Sequence, residues 1–376
     1  MSPVHKYGMS PVRLLLGTYT DVVHEVLFTP PTADSPPSIR PIRELPIGWG
    51  ASWIVKHPEV KDVFYVALEA DDEGGRKDGV EGSIAAYRIE SAGATLLSQV
   101  SAGDNPCHVE VIDGGKALAA ANYTGGSALL IPLNPDGTFN WASDEVPNYI
   151  KYPTLEGAAR SMGHQCIDLP ALGECLVVDC GNHCIWRMGI TGEGAALGWV
   201  NKGRIDVLRR HAPRQAVISP DGRHLYTLYA KSCMVSHHDL SNGAQLVSTH
   251  SILPPPHVID LDNWQPPYTL AAALTLHEPS STLTGTVRCI RGEAVDSVAF
   301  FKIKPDGILS KPEILRPARG REYRGVGVVG NCFLVAGQED GWMTCFEWNP
   351  TTDSWSEREW SEPVRFEKVV DIETML

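Results

Sequence analysis

Residues 117–133 read ALAAANYTGGSALLIPL. A short run of small, apolar residues ends in a polar turn at Asn122 to Gly126, and a second apolar run follows at once. Two such runs joined by Gly, Asn, Asp or Ser, the residue types that tolerate positive φ, make an antiparallel strand pair. The pattern opens again at Leu14, Phe64, Cys175, Leu225, Thr286 and Cys332, as in LLLGTYTDVVHEVLF from Leu14 and CFLVAGQEDGWMTCFEW from Cys332. The starts are spaced by roughly 46 to 61 residues, which suits one four-stranded propeller blade and not a helical solenoid repeat.

Seven units predict an all-β chain: a seven-bladed β-propeller with four antiparallel strands per blade, each unit supplying the two middle strands. Pro-Asp-Gly turns beginning at Pro135, Pro220 and Pro305 separate further strand-like stretches. No segment carries a sustained helical period. Such a ring must be closed, and the strand near Leu14 is expected to pair with C-terminal strands. Repeats from end to end argue for one domain over residues 1–376. The stretch from Trp141 to Met162 reads as an insertion beside the channel entrance.

Composition narrows the function classes. Hydrophobic residues make up 43% of the 376, ample for a core. No apolar run approaches a membrane span. The opening MSPVHKYGMSPVRLLLG has too short an apolar stretch for a secretory signal, so a cytoplasmic location is the expectation. Nine cysteines, an odd number lying mostly inside predicted strands, argue against a disulfide framework, and Cys180 with Cys184 is not a zinc motif. A formal charge of −13 disfavours nucleic acid or a membrane surface as partner, because both require a basic face. A small anionic ligand depends instead on local arginines, and both a monomer and a homo-oligomer fit the chain.

In a propeller the innermost strands line a central channel, so polar residues that interrupt them converge near the axis. The candidates are Glu69, His108, Asn122, His164, Asp179, Arg214, Arg291, Arg324 and Gln338, with Arg160 close to His164 in sequence. His108 in NPCHVEV, His164 in GHQCIDL, Arg214 in APRQAVISPDG and Arg324 in YRGVGVV are read as one recurring slot in four blades. Cations repeated at one depth of a channel are costly without an anion to bind. Glu69 and Asp179 are the internal counterions on offer.

GDNPCHVEV together with AAANYTGGSALLIPLNPDG resembles the seven-bladed lactonase family, which includes propeller-type 6-phosphogluconolactonases and fungal carboxy-cis,cis-muconate lactonizing enzymes. APRQAVISPDGRHLYTLY, CIRGEAVDSVAFFKI and FLVAGQEDGWMTCFEW extend the resemblance over almost the whole chain. It implies a polar site at the channel mouth for a carboxylated or phosphorylated substrate, such as a lactone or a muconate. It also implies a His, a Glu and two Arg, which fall on His164, Ala230, Arg214 and Arg291. The expected carboxylate is thus an alanine, and Glu69 is the residue available to replace it.

The chemistry implied is opening or closing of a lactone without metal or cofactor. Arg214 and Arg291 would hold carboxylates bidentately, and His164 would move the proton, with His108 in reserve. His108, Glu69, Arg324, Gln338 and Arg160 would complete the substrate contacts. Two nearby arginines favour a neutral imidazole, which suits hydrolysis better than protonation of carbon. No G-x-S-x-G elbow, H-E-x-x-H, P-loop or dinucleotide fingerprint is present. A diverged reaction, or a silent propeller binding partners through rim aromatics, is the alternative.

Overall fold

The computed structural model describes residues 10–69, 82–103, 105–140 and 148–375. They form seven four-stranded antiparallel sheets. Counting blades along the chain, the innermost strands are Val369–Met375, Ala51–Lys56, Pro106–Ile112, Gly163–Leu169, Pro213–Ile218, Leu270–His277 and Tyr323–Val329. The second strands are Val12–Thr18, Val63–Leu68, Ala117–Asn122, Glu174–Asp179, His224–Tyr229, Thr282–Arg288 and Cys332–Gly337. Blade 1 is assembled from both ends of the chain, with the C-terminal strand pairing antiparallel to Val12–Thr18. That is the closure expected from the repeats.

The second strands are mostly apolar because both of their faces are buried between blades. Along Ala117–Asn122, Leu118 and Ala120 pack with Val63, Tyr65 and Ala67 of blade 2. The intervening Ala117, Ala119 and Ala121 pack with Cys175 and Val177 of blade 4. Seven such clusters, one per blade junction, carry the core round the ring. Outer strands such as Gln245–Ser251 are largely exposed. The Pro-Asp-Gly turns hold Gly137, Gly222 and Gly307 at φ of 85, 71 and 78°. Tyr65 and Tyr226 donate to the Gly137 and Gly307 carbonyls of the following blade at 3.0 and 2.8 Å.

Every innermost strand slips by a residue against its second strand just after it begins. Ser52, Cys107, His164, Arg214 and Arg324 are each left without a partner in the pairing. Val370 is the equivalent in blade 1, and in blade 6 the slip takes up Ala272 and Ala273. A bulge disrupts the ladder locally, and a buried N–H needs another acceptor. The acceptor comes from the neighbouring blade. The Ile54, Cys166, Ala216 and Leu274 amides donate to Asp371, His108, Gln165 and Gln215 at 2.6, 3.4, 2.7 and 2.8 Å. Each acceptor is the residue directly after the preceding blade's bulge. Thr286 makes the corresponding stitch between blades 6 and 7, accepting from Ala273 N at 3.0 Å and donating to Tyr323 O at 2.7 Å.

The expected insertion is partly ordinary structure: Asn148–Lys151 is the outermost strand of blade 3, and residues 141–147 lie outside the described residues. All nine cysteines are free.

Along the same inner strands, beyond the bulges, burial pushes Glu110 and Glu373 up to about 8 and Asp371 up to about 7, with Asp168 and Asp371 adding repulsion. Folded values above the unfolded ones mean a stabilising contribution complete at acid pH and lost as pH rises through 7 to 8. A Glu110→Gln, Glu373→Gln double variant should therefore gain Tm over wild type at pH 9 and gain none at pH 5. Gln215→Leu orphans the Leu274 amide and should destabilise by about 1–3 kcal/mol in urea unfolding.

Candidate active site

Two slots per blade face the upper channel. One is the bulged residue of the innermost strand. The other follows the partner of the residue before the bulge, and holds Tyr19, Glu69, Tyr123, Cys180, Ala230, Arg288 and Gln338 in blades 1 to 7. Side chains from these slots enclose a chamber of about 250 Å³, at the small end of ligand cavities. His164, Arg214 and Arg324 line it from bulges, and Glu69, Arg288 and Tyr19 from the second slot. Lys231, Trp264 and Met162 line it from turns and connections.

Among the described residues the lining carries four cations, Arg214, Arg288, Arg324 and Lys231, against one carboxylate, Glu69. Glu69 accepts from the Tyr19 hydroxyl at 3.0 Å and meets Arg324 at 3.9 Å. Arg324 lies 4.8 Å over the Tyr19 ring and donates to Gln338 at 3.2 Å. Burial raises the Glu69 carboxyl above its usual range, and Arg324 works against that shift. Arg214 is only 5% exposed and has no carboxylate at ion-pair distance among the described residues. Burial, then Arg324 and Arg288, bring it down to about 9, so it keeps its charge at neutral pH.

His164 is 9% exposed, and its ring meets Tyr123 edge-on at 5.7 Å. Its Nδ1 is buried with no hydrogen-bond partner among the described residues. Burial first, then Arg214 and Arg324, hold it well below 6.5, so the imidazole is neutral. Burial pushes Cys180 up to about 12 and Cys107 well above the usual thiol range, leaving both protonated. Cys107 donates weakly to the His164 carbonyl at 3.5 Å.

Four sequence expectations are corrected. His108 does not share the slot of His164, Arg214 and Arg324; the bulged residue of blade 3 is Cys107. One residue along a strand reverses the face, so His108 instead packs on Trp53 at 4.2 Å and serves the stitch to Cys166. Burial and Arg214 lower it to about 3, which leaves it neutral but placed outside the chamber lining. Arg291 is exposed and borders a separate depression beside His257 and Asp260. Asp296 draws the Cys289 and Ile290 amides onto its carboxylate at 2.9 and 2.6 Å, turning the chain outward after Arg288. Arg288 is the blade 6 arginine of the chamber. Asp179 is no counterion, because Ser161, Met162, Gly181, Asn182 and Trp186 all donate to it. Arg160 is exposed outside the lining, although its charge reaches the Tyr123 hydroxyl.

Gln338 acts through Arg324, and Asn122 donates to Ser127 at 3.0 Å. Among the described residues no three His, Cys, Asp or Glu side chains gather as metal ligands. Sequence reading overlooked Tyr19, Arg288, Lys231 and Trp264 as lining residues. A signal existed for the first: GTYT around Tyr19 repeats ANYT around Tyr123, which is the same slot.

Comparison with known proteins agrees with this architecture. A 94-residue stretch is 32% identical to the 6-phosphogluconolactonase of Bacillus subtilis (strain 168). It spans 24% of this chain and 25% of that protein. The periplasmic gluconolactonase of Pseudomonas aeruginosa superposes with a TM-score of 0.80 at 21% identity, covering 98% of this chain and 99% of that one. A protein from Lactobacillus plantarum superposes with a TM-score of 0.77 at 19% identity, covering 98% and 100%. At such identities the structures speak for the fold alone. Residues 13–367 match the family described as lactonase, seven-bladed beta-propeller, and the chain belongs to that family.

Proposed function

We propose that this protein opens a small carboxylated lactone by general-base hydrolysis in the upper channel. The observation that carries this reading is a neutral, buried His164 whose Nδ1 has no partner among the described residues, in a chamber where the described cations outnumber the described carboxylates four to one. Family membership supports a lactone-acting enzyme.

Arginine binds carboxylate in a planar fork, so Arg214 and Arg288 would hold the substrate's acid group and lie near the carbonyl. His164 takes a proton from water as the oxygen attacks the lactone carbonyl. The guanidinium groups stabilise the oxyanion that forms. Collapse breaks the ring C–O bond, and the imidazolium returns its proton to the departing alkoxide. The product is a hydroxy acid. Neighbouring positive charge makes that imidazolium short-lived, which speeds the second transfer.

Glu69 sets the position of Arg324 through the Tyr19 hydroxyl and the ion pair. In the reverse sense, closing a muconate ring would need an imidazolium ready to protonate carbon. The low proton affinity of His164 favours opening.

His164→Ala should lower kcat/KM for carboxylated γ- and δ-lactones by about 100-fold or more in a pH-stat assay. Because burial and the neighbouring arginines hold the folded value well below 6.5, the acid limb of kcat/KM should fall well below 6.5. A limb centred near 6.5 or above would remove His164 from the role. Arg288→Met should cost about 100-fold in kcat/KM, whereas Arg291→Met should leave it within about two-fold.

A further inference from the structure

The connection between blades 5 and 6, residues 252–269, brings Trp264 to the chamber mouth. Its indole stacks on Tyr268 with ring centres 3.9 Å apart, and the Lys231 ammonium lies 4.8 Å above it. Lys231 stands in the turn that follows the second strand of blade 5, where its amide donates to the His211 carbonyl at 3.1 Å. The aromatic platform restrains a side chain that otherwise ranges widely in solvent.

Neither group is satisfied by the protein. Among the described residues no carboxylate stands at ion-pair distance from Lys231. The acids of the connection are engaged elsewhere: Asp262 pairs with Arg210 at 2.8 Å, and Asp260 accepts from Asn263 at 2.6 Å. The Trp264 Nε1 is buried and has no acceptor among the described residues. Arg324 has Glu69 as its carboxylate. Lys231, Arg214 and Arg288 line the same chamber as Cys180, whose thiol burial pushes up to about 12 while these three cations work against that shift and Asp179 adds to it.

We propose that Lys231 and the Trp264 indole N–H form a second oxyanion subsite at the chamber mouth. The compound that fills the chamber then carries two acidic groups, one held by Arg214 and Arg288 and the other by Lys231 and Trp264. This rests on the chamber being the substrate site. A monoacid satisfies only the guanidinium groups, and the mouth donors stay unpaired; a diacid pairs both sets.

The test is calorimetric titration of the full chain with tetrahydrofuran-2-carboxylate and tetrahydrofuran-2,3-dicarboxylate, which cannot be hydrolysed. The 3-phosphate ester of 3-hydroxytetrahydrofuran-2-carboxylate tells a second carboxylate from a phosphate. Wild type should bind a diacid about ten-fold more tightly than the monoacid. Lys231→Met should erase that preference while leaving the monoacid within about two-fold. Trp264→Phe, which keeps the platform and removes the N–H, should reduce it by about three-fold. Equal or absent binding of the diacids by wild type, or an equal loss for all three ligands in Lys231→Met, overturns the subsite. Lactone opening is assayed in parallel. A Lys231-dependent diacid preference without turnover leaves the subsite standing and removes the hydrolytic reading. Turnover without the preference does the reverse.

Discussion

A side chain that accepts one backbone N–H from the next blade governs both the ring and the site. In each blade the innermost strand carries an extra residue, and in a strand a one-residue change of register exchanges the two faces. Left uncapped, the amide beyond the bulge would be a buried donor without an acceptor, at a cost of about 1–3 kcal/mol. The strand could recover by straightening, which would turn His164 and Arg214 away from the axis. Asp371, Gln165 and Gln215 remove that incentive, and they also tie blade to blade. Stability of the ring and aim of the chamber side chains therefore depend on the same bonds.

The electrostatics of the chamber run against those of the molecule. The chain as a whole is acidic at −13, yet four of the five charged lining residues among those described are cations. At physiological salt the field of a distant surface carboxylate fades within about 8 Å, whereas the lining groups act on a ligand at contact distance. On the proposed reading, an anion is therefore held by local charge despite the global sign. The cost falls on the empty protein, where Arg214 and His164 are buried beside other cations. The proposed chemistry benefits from that cost, because a histidine kept neutral by burial and by its cationic neighbours is available as a base in the neutral range.

The ring was legible in the chain because its strands are unusually plain. Runs such as ALAAAN are apolar on both faces, and turns rich in Gly, Asn and Asp punctuate them at blade spacing. Closure by the strand near Leu14 followed from the same count. The finer aim of side chains was not legible, since a bulge leaves no mark in composition. His108 was placed in a slot that Cys107 occupies, one residue away. The resemblance puts the second arginine on Arg291, and neither the one-residue slip in blade 6 nor the pull of Asp296 on the amides after Arg288 can be read from residue order. Lys231 and Trp264 come from a turn and a long connection, whose direction is set by tertiary contacts. Tyr19 could have been found from its match to Tyr123.

Ring symmetry also explains how the site accommodates an alanine at position 230. Glu69 and Ala230 occupy the same slot in blades 2 and 5, so a side chain at either position enters the channel at the same level from a different bearing. What differs is the company. From blade 2, the carboxylate reaches Tyr19 of blade 1 and Arg324 of blade 7, two blades whose innermost strands meet in a tight seam. There Gly325 and Gly327 press so closely on Val369 and Ile372 that a Cβ would stand 3.0 and 2.7 Å from them. A carboxylate on blade 2 thus fixes Arg324 across the seam and leaves Arg214 without an acid partner, whereas one at position 230 would stand in the blade of Arg214 itself. The placement of one carboxylate accordingly decides which arginine is a structural strut and which remains free to hold an incoming anion.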